Sequence, residues 1–121
     1  MSTLKPQTFT KDLSNVTGKT AQARNKAIDS IIKEDFNSLK LTHTPEYSPF
    51  IRTGIAQEGV GTQIGKNSFS SRNTLRNTIV HEELHHRWWK KGIYDHHPAG
   101  SALEKKFYDT IDRYFRMRGW N

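Results

Sequence analysis

The segment TIVHEELHHRWW, residues 78–89, decides how this chain is read. It sets three histidines, two glutamates and two tryptophans into twelve positions. His81-Glu82-Glu83-Leu84-His85 fits HExxH, and on a helix residues four apart stand one above the other on a single face. Two imidazoles so placed can hold one tetrahedral Zn²⁺ at ~2.0–2.1 Å, with the intervening glutamate beside it as general base for a water molecule. A polar surface helix that happens to be rich in histidine is the plainer reading.

Working outward, Ser70 or Ser71 offers an N-cap, and Leu75, Ile79, Val80, Leu84 and Trp88 recur at mostly three- to five-residue spacing. The pattern predicts a helix through about Lys91, stopped by Gly92. Residues 92–100, GIYDHHPAG, read as a loop, because Pro98 holds His97 out of helical geometry and Gly100 permits a sharp turn. Ser101 with Glu104 is a capping-box pattern, and Leu103, Phe107, Ile111, Tyr114 and Phe115 keep one apolar face over a helix from about Ala102 to Met117.

On the N-terminal side, Thr20 to Phe36 carries a helical stripe of Ala27, Ile28, Ile31, Ile32 and Phe36. Between Leu39 and Ile64, the pieces LKLTH, FIRTGI and VGTQIG are separated by prolines and glycines and predict two or three short strands in one small sheet. One of these covers Thr62 to Gly65. Residues 1–19 read as a loose leader and residues 20–121 as a single domain. The expected fold class is α+β.

Composition narrows the chemistry. The 121 residues include no cysteine, so disulfides and thiolate ligands are excluded and any metal site must use His, Asp or Glu. Hydrophobic residues make up 33%, which predicts a small core, and the 11% aromatic content argues against disorder. No apolar run reaches transmembrane length, and Met1 to Thr10 has no hydrophobic signal core, so neither membrane insertion nor self-directed export is expected. The net charge of +7 points to nucleic acid or an acidic protein as partner. That charge is spread, with 11 Lys/Arg against 6 Asp/Glu in residues 1–80 and 8 against 6 in residues 81–121.

Within the expected site, Glu82 is the candidate base, and His86 a candidate donor to substrate or a surface residue. A catalytic metal needs a third protein ligand, leaving the fourth position for water. His97 is the first choice, twelve positions beyond His85, followed by His96 and then Glu104, whose alternative role is to cap the last helix. Arg72, Arg76, Arg87 and Tyr94 are candidate substrate-binding residues, and Tyr94 or Tyr108 can donate to an oxyanion. Arg72 and Arg76 alternatively solvate the first turns of their helix. Glu83 would be costly to bury unpaired, and Arg87, four residues on, is its natural partner. Trp88 and Trp89 read as packing against the last helix, and His43 as structural or exposed.

The words GTQIGKNSFSSRNTLRNTIVHEELHHRWW, then HHPAG, then a helix ending in RYFRMRGW, resemble C-terminal toxin domains of bacterial polymorphic toxins, including contact-dependent growth inhibition and Rhs-type systems. The resemblance covers about residues 45–121, with PEYSPFIRTG as a further distinctive word. The order HExxH, short loop, His, aromatic helix also resembles the small SprT-like and YgjP-like zinc peptidases. It implies a minimal zincin-like layout, with His81, His85 and His97 as zinc ligands and Glu82 as base. It also implies a monomeric toxin, delivered as part of a larger protein into the cytoplasm of a competing bacterium. There it would act on a macromolecular substrate and be neutralised by an immunity protein, expected to be acidic at the contact. Two other readings stay open. A toxin nuclease, with or without metal, would use His81, Glu82, His85 or His86 for proton transfer and Arg72, Arg76 or Arg87 to hold phosphate. A non-catalytic module with a structural metal would have no need of Glu82.

Overall fold

A computed structural model of the chain describes residues 12–15, 20–94 and 100–120. It contains three helices and one mixed sheet: α1 (Thr20–Asp35), β1 (Glu46–Tyr47), β2 (Gly54–Gln57), β3 (Gly61–Ile64), α2 (Arg72–Lys90) and α3 (Ala102–Arg118). A single 3-10 turn over Lys66–Phe69, which the sequence did not signal, leads from β3 into α2.

The sheet order is β1-β3-β2. β1 runs parallel to β3, and β2 antiparallel to it with Ile55 opposite Gln63. Ser48 N–H donates to Ile64 O, and Gly65 N–H to Thr53 O. Antiparallel ladders alternate their bonding residues. Thr53 and Ile55 therefore bond to β3, and Gly54 and Ala56 turn their backbone groups to the other side, where no described strand pairs with them.

One core joins these parts. Ile28 and Ile31 of α1, Leu75 and Ile79 of α2, Phe107 and Ile111 of α3, Ile64 of β3 and Phe69 close around each other almost without exposure. The apolar positions that set the helical stripes are the ones buried. The helix ends follow from side-chain chemistry as well. Ser71 Oγ accepts from Thr74 N–H at 3.0 Å at the start of α2, and Ser101 Oγ from Glu104 N–H at 3.1 Å at the start of α3. Gly119, at φ 73°, ends α3 in the left-handed conformation, one turn-forming glycine that the sequence reading passed over.

The expected LKLTH strand is absent. Residues 39–43 instead form an irregular strap on α2: Arg87 donates to Lys40 O at 2.8 Å, and Thr42 N–H to Glu83 Oε1 at 2.8 Å. Side chains of a helix take the backbone bonds that a neighbouring strand would have taken. The strand that runs parallel to β3 comes from PEYS, two residues long, after Pro45. FIRTGI contributes to β2 only from Gly54 onward.

Candidate metal centre

α2 carries His81, Glu82 and His85 past the open edge of β2. Two close approaches fix that juxtaposition. A β-carbon at Gly54 would lie 2.6 Å from Thr78 Cγ2 and 2.9 Å from Glu82 Oε2, so only glycine lets the strand come this near the helix. Behind the histidines, Phe107 of α3 meets the His81 ring edge-on, at 5.0 Å between centroids, and the His85 ring at 4.6 Å. Trp89 stacks on His85 from the other direction, with 25° between the planes. The imidazoles are thereby wedged in position by aromatic rings.

One atom of each of His81, Glu82 and His85 lies within 4.8 Å of the others. The Nε2 atoms of His81 and His85 are 3.2 Å apart. Two nitrogens ~2.05 Å from one tetrahedral ion would be about 3.3 Å apart. The two imidazole nitrogens therefore fit a single divalent ion such as zinc, with the Glu82 carboxylate beside it. Glu82 is buried, and burial raises its carboxyl pKa to about 7. The three groups share a cleft of about 260 Å³ with Gly54, Ile55, Ala56 and Trp89. Trp89 thus lines the cleft and covers His85. Trp88 packs on the last helix, edge-on to Phe107 at 5.2 Å.

The polar neighbours in the same helix are occupied elsewhere. Glu83 is buried but satisfied: Thr42 N–H, Thr42 Oγ1 and Arg87 Nε each donate to its carboxylate at 2.8 Å. Arg87 is the ion-pair partner that the i, i+4 spacing predicted. His86 is buried too, with Nε2 2.8 Å from Thr62 Oγ1 and its ring 4.9 Å from that of His43. It faces the sheet rather than the cleft, and burial, with His43 adding to it, holds its pKa below the usual imidazole value.

Among the described residues, Arg72, Arg76, Tyr94 and Glu104 do not line the cleft. Arg72 and Arg76 both donate through Nε to Asp35 Oδ2, at 2.9 and 2.8 Å, and Arg72 also reaches Glu34, so they tie α2 to α1. Tyr94 is exposed and donates to Glu58 Oε2 at 3.0 Å. Tyr108 is the tyrosine near the histidines, its ring 5.8 Å from that of His81. Glu104 Oε1 accepts from Gly100 N–H at 2.8 Å, completing the cap of α3. His96 and His97 lie outside the described residues. Sequence reasoning missed Gly54 and Trp89. A glycine inside a β-leaning run was the available signal for the first.

Two imidazoles spaced for one ion, a carboxylate poised near neutrality and a strand edge running past them have the form of a small metallohydrolase centre. The chain belongs to the metallopeptidase toxin 5 family, whose model matches residues 12–120. It is a metallopeptidase-type domain of the polymorphic-toxin kind. No curated protein and no solved structure matches it. Among the described residues, no helix is long and apolar enough to cross a membrane.

Proposed function

We propose that this domain is a zinc-dependent endopeptidase toxin, with His81, His85 and His97 as ligands and Glu82 as general base. The observation that carries the reading is the 3.2 Å separation of the two Nε2 atoms beside a buried carboxylate. His97 is proposed from its spacing in the sequence. When bound, the ion supplies Lewis acidity, acidifying water and polarising a peptide carbonyl. Glu82 takes the proton from the attacking water on its carboxylate and hands it to the departing amine. Its burial beside the two histidines places it within reach of that proton.

The substrate we propose is an extended polypeptide laid against β2. The backbone groups of Gly54 and Ala56 face the open side of that strand, and residues 54–56 line the cleft with the histidines. Pairing of a substrate strand with this edge would present its carbonyls to His81 and His85 in register. The nuclease alternative has less to draw on, because Arg72, Arg76 and Arg87 are each bound to a carboxylate. Delivery into a target bacterium and neutralisation by an immunity protein complete the proposed biology.

The test compares purified wild type, His81→Ala and Glu82→Gln for bound zinc, cleavage of unfolded proteins and toxicity in cells. One zinc per wild-type chain, zinc lost in His81→Ala, and zinc kept but cleavage and toxicity lost in Glu82→Gln are the expected results. Degraded RNA with intact protein in intoxicated cells would overturn the peptidase reading.

A further inference from the structure

A second concavity lies on another face of α2. It is a groove of about 910 Å³ between the C-terminal half of α2, α3 and the strap over residues 40–42, and it shares no lining residue with the metal cleft. Its walls hold Lys40, Lys90, Lys91, Lys106 and Arg113, together with Arg87. Arg87 is neutralised by Glu83, but among the described residues the other five form no ion pair and no Asp or Glu lines the groove. Five uncompensated cations at one place are a large share of a chain whose net charge is +7. Like charges so concentrated repel one another, and an anionic occupant would relieve that repulsion.

The floor says what kind of anion. Leu84, Ile93 and Leu103 line the groove, and Leu84, Arg87 and Thr110 lead from it into a smaller, mainly apolar hole of about 150 Å³ formed with Leu39, Val80, Ile111, Tyr114 and Glu83, whose carboxylate is taken up by Arg87 and Thr42. A nucleic acid fits such a groove poorly. A single strand held through its bases would need an exposed aromatic face on which to stack, and the groove's own aromatic, Trp88, is 6% exposed with its ring against Phe107. Aliphatic walls beneath a basic rim suit an apolar side chain flanked by carboxylates.

We infer that this groove docks an acidic segment of a partner protein, with an aliphatic anchor of that segment seated in the hole between α2 and α3. The site is separate from the metal cleft, so docking does not depend on the metal or on the peptidase reading.

The test uses full-length Glu82→Gln protein, which leaves the groove intact and prevents cleavage of the probe. The probe is a short fluorescein-labelled peptide of glutamates and aspartates around one central leucine, followed by anisotropy at low and physiological salt. Binding should be unchanged by added zinc or chelator. Lys91→Glu with Lys106→Glu should weaken it by at least about tenfold, with the fold confirmed by circular dichroism. Replacing the probe's leucine by serine should weaken it by about tenfold, the expected loss of a buried aliphatic side chain. No binding, equal binding of the serine probe, indifference to the charge reversals, or tighter binding of single-stranded RNA of the same charge would each overturn the proposal.

Discussion

Gly54 and Glu82 are pressed together: a β-carbon on the glycine would come within 2.9 Å of the carboxylate Oε2. The proposed base therefore lies against the strand that also edges the cleft, and the strand's path depends on having no side chain at that point.

Gly54→Ala should consequently harm catalysis more than folding. The methyl meets both Thr78 and Glu82, and relief requires either the strand or the carboxylate to move. Displacing a reacting group by about 1 Å can reduce rate by about 100-fold. Steady-state cleavage of a peptide substrate, alongside a thermal melt, checks this. An unchanged kcat/KM would show that the close approach does not position Glu82.

The metal-free protein should lose stability as the pH rises through neutrality. Burial raises the folded-state pKa of Glu82 to about 7 from its ordinary value of 4.5, so the native state binds more protons than the unfolded state between those values. The contribution is fully present below pH 4.5 and is lost by the time the pH passes 7, a change of about 3 kcal/mol. Urea denaturation of wild type and Glu82→Gln in chelator, at pH 5 and pH 8, isolates it. The substitution should narrow the difference between the two pH values, and an identical pH dependence in both proteins would contradict the account.

Asp35 acts in the opposite direction. Burial alone would raise its pKa, but hydrogen bonds and charge from Arg72 and Arg76 outweigh that and leave it lowered. Its stabilisation is present above its unfolded pKa near 3.8 and is lost as the pH falls through and below that value. Asp35→Ala leaves the largely buried Arg76 without a carboxylate and Arg72 with Glu34 alone, and should destabilise the fold by about 3 kcal/mol. Activity per folded molecule should stay near wild type. A specific loss of activity without loss of stability would instead place this cluster in the reaction.

Glu83→Ala should behave likewise, despite its position next to the base. It removes the acceptor for Thr42 and Arg87 and frees the strap over residues 40–42. The expected cost is about 1–2 kcal/mol in chemical denaturation, because Arg87 is left partly exposed to water, with zinc content retained. Loss of zinc from a fully folded Glu83→Ala protein would mean that this carboxylate supports the metal directly.

The helices were legible because apolar spacing and side-chain caps are local. Ser71, Gly92, Ser101 and Glu104 mark helix ends in the sequence and in the structure alike. The HExxH spacing likewise delivered its geometry, since an i, i+4 pair on a regular helix has little freedom. The sheet was harder to read. LKLTH is β-leaning by composition, but its backbone partners are Glu83 and Arg87, more than forty residues away, and no local pattern announces such a bond. The arginines misled for a related reason. Arg72 and Arg76 look like free cations until Asp35 arrives from another helix. Tertiary pairing decides whether a charged residue is available, and a single sequence does not display that pairing.

The central claim is that His81 and His85 hold one ion on their facing Nε2 atoms with Glu82 beside it. Zinc-edge anomalous diffraction from crystals of zinc-loaded Glu82→Gln protein tests it most directly. The account predicts a single peak ~2.0–2.1 Å from both Nε2 atoms. A peak on other residues, or no peak there at saturating zinc, would contradict it.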